Sequence, residues 1–76
     1  MNNIRRKALQ KISDKIVELK DELENIMQEE EEYRDNMPEN LQGSERYEKT
    51  DDACNSLYDA VSQLEEVVSS IDAATE

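Results

Sequence analysis

One proline and one glycine, Pro38 and Gly43, stand near the middle of a 76-residue chain that contains neither anywhere else. A chain with so little turn chemistry can bend sharply in one place, and on either side of that place it is free to be continuous helix. The apolar spacing agrees. Before the break Leu9, Ile12, Ile16, Leu19, Leu23 and Ile26, then Glu30, Tyr33 and Met37, recur at alternating steps of three and four. That is the pattern of a helix with one packed seam. After the break Tyr47, Thr50, Cys54, Leu57, Val61, Leu64, Val68 and Ile71 step the same way. Each run makes a helix roughly 45 Å long at about 1.5 Å per residue.

The connection is read from capping preferences. Asn36 three residues before Glu39, with Pro38 in the first turn, is expected to start a short helical turn. Gly43 suits a left-handed position after it, and Ser44 can cap the second helix. So short a link lays two long helices side by side and antiparallel. The expected fold is all-α: one helical-hairpin domain over 1–76, coiled-coil-like, with helix 1 over about 3–35, a turn over 36–43 and helix 2 over about 44–74. One register aligns both seams, setting Leu9 by Ile71, Ile12 by Val68, Leu19 by Val61, Ile26 by Cys54, Glu30 by Thr50 and Tyr33 by Tyr47.

Helix 2 carries a further small apolar line at Ala53, Ala60, Val67 and Ala74, one heptad apart and beside the seam. One partner helix cannot cover both lines. With no Phe or Trp and only three tyrosines, a chain this short has little core of its own. A homodimer forming a four-helix bundle through this line is the expectation.

Composition excludes more than it assigns. There is no histidine and one cysteine, so neither an intramolecular disulfide nor a Cys/His metal set can form. The serines lack a base to activate them, and Cys54 falls in the seam, so no nucleophilic apparatus is expected and the protein reads as a non-enzyme without cofactors. No stretch approaches the roughly 20 apolar residues of a membrane span. A soluble, cytoplasmic protein is expected.

Charge is uneven along the chain. Residues 1–20 hold six bases and two acids, residues 60–76 hold four acids, and residues 21–59 hold 14 acids against Arg34, Arg46 and Lys49, so the whole net −11 lies around the turn. That half of a hairpin is roughly 22 Å long, a length over which duplex DNA carries about 13 charges. Glu29, Glu31, Glu32, Asp35, Glu48, Asp51 and Asp52 therefore present a nucleic-acid-like charge density to a basic protein surface, with the off-seam Tyr58 as a contact anchor. Direct nucleic-acid binding is not expected, because Arg5, Arg6, Lys7 and Lys11 are few and would be engaged by helix 2 acids.

The segment from Asp35 to Tyr47, with its Asn-x-Pro-Glu-x-Leu-Gln-x-Ser pattern over Asn36–Ser44, resembles short acidic helical-hairpin proteins encoded by bacteriophages and prophages of gut bacteria. The likeness spans roughly residues 20–66. It implies a phage context inside a bacterial host cell, where the partner would be a host nucleic-acid-binding protein such as a nuclease or a CRISPR effector. Two functions stand on these observations: an acidic mimic that occupies a basic protein surface, or a self-assembling scaffold whose acids only keep it solvated.

Overall fold

A computed structural model describes all 76 residues. The first helix, α1, runs over Asn3–Asp35 and the second, α2, over Glu45–Thr75, with a single 3-10 turn at Glu39–Leu41 between them. The two helices pack along their length into a rod of 59 × 15 × 13 Å. Neither is long and apolar enough to cross a membrane.

Local chemistry explains where each helix starts and stops. The Asn2 side chain accepts the Arg5 N–H at 2.8 Å and so satisfies one of the free donors that open α1. Ser44 does the same for α2, accepting the Tyr47 N–H at 3.2 Å while its own hydroxyl donates to the Leu41 carbonyl. Asn36 does not cap a new turn. It closes α1, its N–H returning to the Glu32 and Arg34 carbonyls, and the 3-10 turn begins after Pro38 without a side-chain cap. Asn36 has φ −88° and ψ 0° instead of the extended backbone of an N-cap, and that position falls two residues later on Pro38. Gly43 then reverses the chain at φ +117°, a conformation that glycine alone adopts freely.

The packed seam of α2 consists of Tyr47, Cys54, Val61, Val68 and Thr75 on one row and Thr50, Leu57, Leu64 and Ile71 on the other, all buried or half-buried. On α1 the seam is rotated from the expected one. Leu9, Ile16, Leu23, Glu30 and Met37 form one row, but the second row is Arg6, Ser13, Lys20, Met27 and Arg34, again all buried or half-buried. Ile12, Leu19, Ile26 and Tyr33, expected inside, are instead 48%, 59%, 55% and 43% exposed. The row that replaces them meets acids across the interface. Ser13 donates to Asp72 at 3.4 Å, Lys20 reaches Glu65 at 3.6 Å and Arg34 reaches Asp51 at 3.0 Å. Three polar side chains spaced by heptads on α1 meet three acids spaced by the same intervals, in reverse, on α2.

These contacts also slide the register by a little more than one turn. In the expected alignment Asp72 stands level with Ala8, whereas it bonds Ser13. Glu30 accordingly faces Cys54, on whose thiol its charge bears, rather than Thr50. Thr50 satisfies its hydroxyl within its own helix, donating to the Arg46 carbonyl at 3.0 Å.

Candidate functional site

The rotated seam gives the hairpin two unlike long flanks. On one, α1 contributes the rows Gln10, Val17, Glu24, Glu31 and Lys7, Asp14, Asp21, Gln28, Asp35. From α2 come Asp51, Tyr58, Glu65, Asp72 and Glu48, Asn55, Ser62, Ser69. Together these rows hold nine acids and a single base, Lys7. On the other flank α1 contributes Arg5, Ile12, Leu19, Ile26, Tyr33 and Ala8, Lys15, Glu22, Glu29. The facing rows of α2 are Arg46, Ala53, Ala60, Val67, Ala74 and Lys49, Ser56, Gln63, Ser70, giving four bases and two acids.

Contacts confirm the division. The Arg46 guanidinium donates to the Tyr33 hydroxyl and lies 5.5 Å from its ring centroid, which ties the outer rows of the two helices to one side. On that side Leu9, Val67, Ile71 and Ala74 line a shallow groove. Val17, Lys20, Glu65 and Val68 line another groove on the acidic flank.

At the turn end, Glu31, Asp35, Glu48 and Asp51 lie on the acidic flank, with Glu32 and Asp52 on the outer backs of the helices. Glu29 stands at the edge of the apolar flank, and Glu30 is half-buried in the seam. Arg34 holds two of these acids, Asp35 and Asp51, each at 3.0 Å. Hydrogen bonding to Asp35 leads the effects that raise the Arg34 pKa, ahead of the opposing desolvation. Lys49 reaches Glu45 at 3.3 Å. Glu29, Glu31, Glu32, Glu48 and Asp52 hold no ion pair. Tyr58 is 62% exposed on the same flank, in the row between Asp51 and Glu65.

The second cation that gathers acids is Lys20, which reaches from the seam row bordering this flank to Asp21, Glu24 and Glu65 at 3.8, 3.4 and 3.6 Å. Its pKa is raised chiefly by the hydrogen bond to Glu24. The basic start does not pair with α2. Arg6 donates to the Asn3 side chain at 3.5 Å, and Arg5, Lys7 and Lys11 are exposed without ion pairs. The α2 acid nearest the open end, Asp72, is taken by Ser13 instead.

Of the small α2 line, Ala53 and Ala60 are half-buried while Val67 and Ala74 are exposed. Ser13, Lys20 and Arg34, which join the helices, stand outside the apolar periodicity of α1. The reverse-matched spacing of Asp72, Glu65 and Asp51 was the signal that identifies them. The buried Cys54 thiol has its pKa raised, first by loss of solvent, and so stays protonated at neutral pH. Comparison of the chain with protein-family models, with curated proteins and with solved structures finds no match.

Proposed function

We propose that the hairpin is a non-catalytic protein-binding module whose acidic turn end docks on a basic surface of a nucleic-acid-binding protein. The observation that carries this reading is the set of turn-end acids left without internal cations, Glu29, Glu31, Glu32, Glu48 and Asp52, of which Glu31 and Glu48 share a flank with the exposed Tyr58. Unpaired carboxylates project an attractive field toward Lys- and Arg-lined grooves and speed encounter. An exposed tyrosine among them supplies the kind of anchor that dominates interface energetics. The resemblance of the turn segment to phage-encoded hairpins points to a host nuclease or CRISPR effector as the partner, in the bacterial cytoplasm.

The module works as a homodimer, a four-helix bundle to which Ala53, Ala60, Val67 and Ala74 contribute. A second reading, a self-assembling scaffold whose acids only solvate it, draws on the exposed apolar row of α1. Charge reversal separates the two. Replacing Glu29, Glu32, Glu48 and Asp52 together by lysine touches no ion pair of the hairpin and leaves the circular-dichroism helix signal intact. At up to ~1 kcal/mol for each exposed pair, the expected loss of partner affinity is about 10²- to 10³-fold. In a pull-down from bacterial lysate, the parent protein captures a basic nucleic-acid-binding protein at low salt and loses it at high salt. Equal capture by parent and variant, or capture indifferent to salt, would sink the acidic-mimic reading.

A further inference from the structure

The row Ile12, Leu19, Ile26 and Tyr33 serves neither the seam nor the acidic surface. Its four large apolar side chains, one heptad apart, each expose about half their surface. They form a line about 32 Å long at 1.5 Å per residue. Scattered surface apolars need no explanation, but a continuous line marks a contact. Two observations identify the occupant. The first is charge: the outer rows of this flank hold four bases and two acids, against nine acids and one base in the outer rows opposite, where Lys20 and Arg34 reach out from the seam to five of the acids. A second copy of a chain of net charge −11 therefore meets only Glu22 and Glu29 among its own acids in these rows, against the bases Arg5, Lys15, Arg46 and Lys49.

The second observation is symmetry. Seven residues to either side of Leu19 stand Ile12 and Ile26, and seven beyond these Arg5 and Tyr33; in the next row Lys15 and Glu22 flank the same centre with opposite charge. Two α1 helices laid antiparallel about a two-fold axis at Leu19 set leucine on leucine once, at the axis, and Ile12 on Ile26, Arg5 over Tyr33 and Lys15 beside Glu22 twice each. Helix α2 accommodates the same axis. The Lys20–Glu65 contact places Leu19 level with Glu66, so near the axis Val67 meets its own copy and Gln63 meets Ser70, uncharged pairs, with Glu66 at the rim of the face. From Arg5 to Tyr33 and across both helices the face measures about 42 by 20 Å, or roughly 800 Å² per copy, the size of a stable interface.

We infer that a second copy of this chain covers the apolar flank with α1 antiparallel on α1 and the two-fold axis at Leu19. The two acidic turn ends then point in opposite directions, about 57 Å apart at 1.5 Å per residue, and the module offers two docking surfaces instead of one. This rests on the dimer proposed above and assigns its interface chiefly to α1, with the alanine line in support. It also makes engagement of a partner that is itself paired bivalent, with the avidity that follows.

Leu19→Cys tests the axis directly. Mild oxidation is expected to link two copies of this variant through residue 19, whereas Tyr33→Cys and the parent protein, whose Cys54 is buried, stay unlinked. Sedimentation equilibrium supplies the mass. Lys15→Glu is expected to raise the dimer dissociation constant about tenfold, by setting like charges beside Glu22. Adding Glu22→Lys to it restores the parent value. A parent dimer in which Leu19→Cys does not link, or in which the double exchange does not restore affinity, overturns the interface and leaves dimerisation standing. A parent protein that sediments as a monomer at tens of micromolar overturns both.

Discussion

Cys54 shows how strongly position governs chemistry in a molecule this thin. Its thiol lies in the seam, near Arg34, Glu30, Glu31 and Asp51. Burial raises its pKa most, Arg34 lowers it, and the three carboxylates raise it again. The consequence is an inert thiol, since the thiolate is the reactive form. Labelling by a thiol reagent is expected to proceed only as the hairpin opens, at least a hundredfold more slowly than in urea, a ratio of about 2.7 kcal/mol of opening free energy. Immediate labelling of the native protein would show that the seam at Cys54 is not closed. The same shift has a sign in stability. Because the folded pKa is raised, the full contribution of the neutral thiol is present below the unfolded value of about 8.5 and declines as pH rises through the folded value. Thermal melts at increasing pH should therefore hold level to about pH 8 and then fall. Replacement of Cys54 by alanine should flatten that decline, and an unchanged decline would assign it to another group.

At the scale of the element, the turn carries the strictest demand on residue type. Gly43 holds φ +117°, and a Cβ built there meets no atom within 4 Å. The penalty of Gly43→Ala is thus backbone strain alone, about 1–2 kcal/mol. It should appear as a lower urea midpoint with unchanged helix signal; an unchanged midpoint would mean that the turn relaxes at no cost. The turn was readable because proline, glycine and an N-capping serine occur together there and nowhere else. The seam of α2 was readable because its apolar residues populate both packed rows. That of α1 was not, because Leu9, Ile16 and Leu23 belong equally to two candidate seams. Apolar periodicity prefers Ile12, Leu19 and Ile26 as the second row. The fold takes Ser13, Lys20 and Arg34, whose polar ends reach Asp72, Glu65 and Asp51 at the rim of the seam. The acidic candidates were legible as composition. Which flank they face follows only from the rotation of the seam, and so does the exposure of the row centred on Leu19.

For the whole molecule the balance lies between a narrow core and a large uniform charge. Only Ser13, Met37, Thr50, Cys54 and Val61 are buried, and none completely, so most of the seam is shared with solvent and little apolar burial opposes the self-repulsion of a net −11. Lys20 and Arg34 relieve that repulsion locally, each gathering at least two acids. The carboxylates without cations remain, and they crowd the turn end. Added salt shortens the reach of this repulsion from about 30 Å at 0.01 M to about 8 Å at 0.15 M while screening the few surface ion pairs less consequentially. Folding should therefore strengthen with salt, by about 1 kcal/mol or a rise of roughly 4–8 °C in the thermal midpoint for a chain of this size. Association with a basic partner should weaken over the same range. Opposite salt dependences of stability and binding, measured on one preparation, identify the unpaired acids as the common source of both. A midpoint that falls with salt would mean that the ion pairs at Lys20 and Arg34 outweigh the repulsion, and the turn end would then hold no excess potential for a partner to relieve.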